Sequence, residues 1–467
     1  MKKQSQYKER GTENPSQQFN SGALYILSWL MVCCGMILVL IWPVIHTMAL
    51  RNILLFTGGF IGAWYVIRER FNVYQKPALP LLFIFLLFMW VAIHYFLFAH
   101  NPGLELAQIE GTWLRVLLAC LLGVGTGLFA RHHQRAQHVI WAGIFLFVII
   151  FYIDYASVSF AVNNWAIPYH VELGFYGLKV AVLYFGMITL AVCCGVISYN
   201  IKHAKKNYGA KLLISISYTG LTFLTFVLVE DKSGVALGLI LMFSLLVIYL
   251  VNASKSFISN AIVLTFIGII CFSSYWHLKN TPQWDNFLAT VAAGVQIDKY
   301  PNWQDIRIYG LPKLADGTEV RESPYVRTAS ATVGLKLLIE NPWGYGLVDE
   351  SFKYLTKEKF PNAKSLSQPA SQSGWIDFSL GLGMPGLLLT WAAIALAIYY
   401  SFKQDSLWSY CSRWILAGTF LVWVVADVSS HHFVETLFYL IALLSAGNIP
   451  VIAKIPQATR TAEISHF

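Results

Sequence analysis

The chain has 467 residues, of which 57% are hydrophobic and 12% charged, with a formal net charge of +9. A soluble domain carries about 25% charged residues, so this composition, with a mean hydropathy of +0.56, excludes an ordinary soluble protein. The positive balance is not a nucleic-acid signature, because much of the excess sits in short loops between apolar runs.

A polar tail at 1–22 precedes the first apolar run, which lacks a small-residue cleavage site and reads as a retained membrane helix, not a signal peptide. About twelve runs reach spanning length, at approximately 23–46, 50–67, 78–99, 113–130, 138–154, 173–198, 211–229, 234–252, 257–277, 375–400, 411–428 and 433–452. Helix is the only plausible spanning element, since backbone groups in lipid must bond within their own segment. The expected architecture is therefore all-α and polytopic: nine spans within 23–277, a long polar loop at 278–374, three spans within 375–452, and a tail at 453–467.

Loop charge sets the orientation. Lys2, Lys3, Lys8 and Arg10 lie in the tail, and alternate loops hold Arg68, Arg70 and Lys76; Arg131 and Arg135; Lys202, Lys205, Lys206 and Lys211; Lys255; and Lys403 with Arg413. The intervening loops carry only acids, Glu105 and Glu110 in one and Glu172 in another. This alternation places both termini in the cytoplasm and the long loop outside. The seven cysteines show neither metal-ligand spacing nor a disulfide framework.

The loop reads as structured. Trp284, Phe287, Leu288, Val291 and Val295 have spacing compatible with a helix lying on the membrane surface. Residues 313–324 form a turn-rich excursion around Asp316-Gly317. A helix over 325–340 is stopped by Asn341-Pro342, and 347–358 is a further candidate.

Charges within spans are costly and by default suggest function. Arg115, Lys179 and Lys232 all lie toward the external face, as do Asp154, Glu230, Asp231, Asp377, Asp427 and Glu435. This asymmetry suggests a polar cavity opening outward. Cations at that depth suit an anionic lipid head group, since Arg binds phosphate through a planar fork and Lys as a point charge. The competing reading is that Arg115 and Lys179 snorkel, or pair with Asp154 or a carbonyl.

From Arg327 onward the pattern resembles the O-antigen ligase family, whose domain is shared with O-antigen polymerases and bacterial protein O-oligosaccharyltransferases. The resemblance rests on Arg327 opening an amphipathic helix, on Asn341-Pro342-Trp343-Gly344-Tyr345-Gly346, on Gln372-Ser373 and on Gly383-Met384-Pro385-Gly386. Lys232-Ser233-Gly234 stands where the family has a basic residue beside a Ser at the outer start of an earlier span, with Lys in place of the more usual Arg. Where the family has a His, proposed to act as base or to bind donor phosphate, this chain has Gln372. Gln is no base near neutral pH but donates and accepts hydrogen bonds. Either the position serves binding alone, or Asp377, Glu435 or His431 supplies the base, or the chain is catalytically impaired.

The resemblance implies a GT-C-like fold and a metal-independent glycosyl transfer without cofactor at the periplasmic face of a bacterial inner membrane. The donor would be a glycan on undecaprenyl pyrophosphate and the acceptor a lipid A–core sugar hydroxyl. Arg327 and Lys232, with Arg115 and Lys179, would bind the pyrophosphate, and Gln372 would orient the acceptor or a phosphate oxygen. Trp303, Trp343 and Tyr345 would stack on sugars or anchor the loop at the interface. A polymerase and a protein transferase share this pattern. A lipid or polysaccharide transporter would instead predict related halves and charges near mid-membrane, which the sequence lacks.

Overall fold

The computed structural model describes residues 15–44, 46–68, 75–162, 176, 179–203, 208–252, 265, 268, 272, 286–314, 316–361, 369–429 and 431–450, and within these all side chains except those of 15–21, 208–212, 250–252 and 431. The expected span at 257–277, apart from three isolated positions, and Trp284, Cys271 and most of both tails lie outside the described residues.

The protein is an all-helical, multi-pass membrane protein. In chain order the helices are α1 (Pro15–Ile41), α2 (Met48–Arg68), α3 (Leu79–Leu97), α4 (Pro102–Gln108), α5 (Leu114–His132), α6 (Gln134–Val162), α7 (Lys179–Lys202), α8 (Tyr208–Leu228), α9 (Lys232–Asn252), α10 (Phe287–Val295), α11 (Glu322–Glu340), α12 (Ser351–Lys359), α13 (Gly374–Phe402), α14 (Leu407–Val425) and α15 (His431–Gly447). Eight stretches among the described residues are long and apolar enough to cross a membrane: α1 from Gly22, α2, α3 with its preceding turn, α4 running into α5, α6, α7, α9 and α13. The apolar stretches of α8 and α15 are shorter. The described residues form no β-sheet, only an isolated bridge between Lys313 and Glu319 across the Asp316-Gly317 turn.

A helix that is apolar all round suits either a core or a lipid-facing position, and α7, which buries 89% of its most apolar window, takes the central one. The corresponding stretch of α4–α5 buries 72%, whereas α2 and α3 bury only 28% each. Their outward faces carry Phe60, Phe85 and Phe96, at 64%, 56% and 79% exposure. Apolar surface of that extent is the lipid contact of a membrane protein. Glycines let the inner helices approach closely, as in membrane bundles generally. Gly123 and Gly127 on α5 sit against the backbone of α15 at Tyr439 and Leu443, Gly62 on α2 against Leu121, and Gly195 on α7 against Cys411 of α14.

The loop forms a second, smaller core over one end of the bundle, in which Trp303, Tyr325, Val333, Leu337, Phe352 and Leu380 are buried. The helix expected over 325–340 begins at Glu322 and ends at Glu340, where Asn341-Pro342 follows. The further helix is shorter than 347–358 and starts at Ser351. In α10 the small residues Thr290, Ala293 and Gly294 face the protein, while Leu288 and Val295 are 81% and 54% exposed. Gly294 meets Thr328 and the Tyr325 carbonyl, so α10 docks on α11 by its small-residue face and turns its large apolar side chains outward.

Candidate functional site

Two sequence motifs meet at a break in α13. Gly383 has φ 68° and ψ −177°, a conformation open in practice only to glycine. Pro385 then stands in the first turn of the resumed helix, where its missing N–H costs nothing. At the break the carbonyls of Leu380, Gly381 and Leu382 turn to partners outside α13. They accept from Tyr345 N at 2.7 Å, Gly346 N at 2.7 Å and Trp90 Nε1 at 2.7 Å. In return Met384 N donates to Pro342 O at 2.8 Å. A Cβ on Gly344 would run into the Gly383 and Gly381 backbone, and one on Gly383 into Trp343. The Asn341–Gly346 turn and the Gly383–Gly386 segment are thus a backbone joint between loop and bundle.

The aromatic residues of the joint are occupied by the protein itself. Trp343 stacks on Phe98 with centroids 5.1 Å apart, and Tyr345 stacks on both His100 and Tyr354. Trp303 is buried at 4% exposure and packs edge-on against Phe360. Of the three aromatics considered for sugar stacking, only Trp343 keeps half its surface exposed.

A cationic group forms where α7, α9 and α11 converge. The chain leaves α8 through a tight turn in which Glu230 takes the left-handed region at φ 52° and Asp231 N bonds back to Phe226 O at 2.9 Å. Asp231 then caps α9, its Oδ1 accepting from Ser233 N at 3.0 Å and Gly234 N at 3.2 Å. From the loop, Arg327 Nη1 donates to Ser233 Oγ at 3.2 Å. The charged neighbours of Lys232 are Arg321, Glu230, Arg327 and Lys179. Arg327, Lys232 and Lys179 are all exposed at this end. Burial pushes the Asp231 carboxyl above the usual carboxylate range, against the opposing N–H bonds and the nearby charges of Arg327 and Lys179. Because Asp231 takes the first N–H groups of α9, the cations rather than that helix end are what this site offers an anion.

Arg115 lies in a different group. Its Nε is 2.8 Å from Glu435 Oε1, with Arg115 16% and Glu435 4% exposed at the side chain. Trp42 Nε1 donates to Glu435 Oε2 at 3.0 Å, and Arg51 is a charged neighbour of both. Both carboxylate oxygens of Glu435 are thus engaged, one by Arg115 and one by Trp42. Between this group and the Gln372 loop stands an aromatic contact of Trp113, Phe378 and Phe438, with centroids 6.2 to 6.4 Å apart.

Gln372 has φ 65°, an uncommon value for a side-chain-bearing residue, tolerated where the surroundings dictate it. Its neighbours do so here. Ser371 N donates to Asp377 Oδ1 at 2.9 Å, and Gly374 N donates to Ala426 O at 2.8 Å. Asp377 is 2% exposed and holds the backbone of Ser371, the residue before Gln372, with one oxygen. Gly334 of α11 packs against Ser371 and Ile376. Arg327 and the Gln372 loop therefore lie along one helix, roughly 10 Å apart for seven residues of rise. The His431 side chain lies outside the described residues.

Three residues that the sequence reading did not assign enter these groups. Arg321 joins the cations by preceding α11. Arg51 opens α2 at the loop end and met the same charge-in-span criterion as Arg115. Asp427, noted only as an external charge, is half-buried beside the Gln372 loop, with Ser429 Oγ 3.3 Å from its Oδ1 and Asp349 as a charged neighbour. Among the described residues no group of three or more His, Cys, Asp or Glu is placed to hold a metal ion. Comparison with models of known protein families gave no match, and no curated protein matches the chain.

Proposed function

We propose that the protein is a glycosyltransferase of the O-antigen ligase type, moving a glycan from undecaprenyl pyrophosphate to a lipid A–core hydroxyl at the periplasmic face of the inner membrane. The observation that carries this reading is the convergence of Lys179, Lys232, Arg321 and Arg327 around Ser233 at the loop end of the bundle. A pyrophosphate gains most from such charges as its bond to the sugar breaks. On this reading the chain has twelve spans in a GT-C-like arrangement, both termini are cytoplasmic and the loop is external.

The acceptor oxygen attacks the anomeric carbon, the bond from that carbon to the pyrophosphate oxygen breaks, and the lipid pyrophosphate leaves on the four cations. Gln372 orients the acceptor or a phosphate oxygen. The acceptor proton goes to a carboxylate. Asp377 and Glu435 are tied to Ser371 and Arg115, which favours Asp427, half-buried at the same loop, as the base. Arg115 and Arg51 then serve the bundle rather than the donor.

The lipopolysaccharide of a deletion strain tests the reading. Core without attached polymer, with accumulated lipid-linked polymer, is the expected result. Core bearing a single repeat unit indicates a polymerase, and a normal ladder with unglycosylated proteins a protein transferase. A ladder and glycoproteins both unchanged would overturn it.

A further inference from the structure

At the end of the bundle opposite the Arg327 group, α1, α6, α7, α8 and the start of α14 line a half-open cavity of about 910 Å³. That lies within the range of small-molecule sites, roughly 300–1,000 Å³ with mainly apolar walls and a few polar groups. The polarity is graded along the helices. Gln134 and His138 lie in the first turns of α6, Asn200 in the last turn of α7 and His203 just after it. Deeper in, the walls are Met36, Leu146, Ile149, Val196 and Ile214. From Gln134 to Ile149 the cavity follows α6 for about 22 Å, more than half of a hydrocarbon core about 30 Å thick.

Basic residues flank the polar end of the lining in sequence. Arg131 lies in the last turn of α5, Arg135 follows Gln134 at the start of α6, and Lys202 ends α7 beside His203. The acid at this end, Asp405, is engaged by Lys202 at 3.1 Å and His203 at 3.2 Å. A pocket with an apolar shaft one leaflet deep and a hydrogen-bonding end flanked by basic residues matches one kind of molecule in chemistry and length. We infer that this cavity is a binding site for an acidic phospholipid, with an acyl chain along α6 and the phosphate at Gln134, His138 and the flanking arginines. The site is independent of the donor site, from which it is separated by the length of α7.

The test uses the full chain in mild detergent, with native mass spectrometry in the presence of phosphatidylglycerol or phosphatidylcholine of identical acyl chains. The expected result is one phosphatidylglycerol retained per chain, at least 10-fold more tightly than phosphatidylcholine. Ala142→Trp, which fills the cavity from an exposed position on its wall, is expected to lower retention at least 10-fold. Ile153→Trp, outside the cavity and 64% exposed, is expected to leave it unchanged. Arg135→Glu, at the surface and away from the packed core, is expected to abolish the preference between the two lipids. Equal retention of both lipids by the unaltered protein overturns the acidic head group. Undiminished retention by A142W, with R135E keeping its preference, overturns the site.

Discussion

The Arg327 guanidinium donates to the Ser233 hydroxyl across 3.2 Å and joins a helix of the loop to the first turn of a spanning helix. Both residues sit among Lys179, Lys232 and Arg321. Loss of a donor aimed at developing negative charge costs about 10²- to 10³-fold in rate. Arg327→Ala is therefore expected to lower glycan transfer in membrane vesicles by about 100-fold or more, with the amount and thermal unfolding of the protein unchanged. Arg327→Lys is expected to retain an intermediate rate, since it keeps the charge and loses the fork. Full transfer by R327A would remove Arg327 from the mechanism.

Asp231 carries a pH signature. Its carboxyl is raised above the usual carboxylate range by burial, so the folded chain holds this proton at pH values where the unfolded chain has released it. Below the ordinary value both states are protonated and no penalty applies. As pH rises from there through the folded value, the unfolded state ionises first and stability falls. Asp231→Asn keeps a capping side chain and is expected to remove that part of the slope. Thermal unfolding of the two proteins across mildly acidic to neutral pH should diverge as pH rises, the variant being the more stable. Parallel curves would exclude Asp231 as the source.

The Arg115–Glu435 pair gives a second prediction about stability. Removing one partner of a buried pair costs about 3–5 kcal/mol, because the other charge is left buried and alone, while replacing both is often nearly neutral. Glu435→Gln is expected to destabilise strongly, and Arg115→Met combined with Glu435→Leu to recover most of the loss. If Arg115 instead bound donor pyrophosphate, the double variant would be stable but inactive, so transfer is assayed alongside unfolding.

At the α13 break, Gly383→Ala places a methyl group against Trp343 in a backbone region open only to glycine. Strain of this kind costs about 1–3 kcal/mol before the clash is added. The expected outcome is a sharp fall in folded protein recovered from membranes. Leu388→Ala, five residues on and 55% exposed toward lipid, should be mild by comparison.

What could be read in the sequence follows from the range of the physics involved. Eight of the expected spans were legible because a bilayer imposes a length, and α11 because Asn341-Pro342 stops a helix locally. The convergence of Lys232 and Arg327 was legible only as a pattern of charge at one end of the spans. The Glu435 contacts were not legible, since Trp42 and Glu435 are 393 residues apart and nothing local to either announces the other. The glycines at 344, 346 and 383 stood out, but their reason is a backbone-to-backbone approach that appears only once loop and bundle are placed together. Asp377 could be read as a base or an orienting group, and its burial and its bond to Ser371 appear only in the structure.

The α13 joint has a further consequence for α11. This helix is clamped at its C-terminal end by the Asn341–Gly346 backbone bonds and again at Gly334 against Ser371 and Ile376. Arg327 stands about two helical turns from the Gly334 clamp, and α10 fixes the arm beside it, Gly294 meeting Thr328 and the Tyr325 carbonyl. The entropy of fixing that arm is spent when the chain folds, not when an anion arrives, so a ligand meeting Arg327 need only order itself.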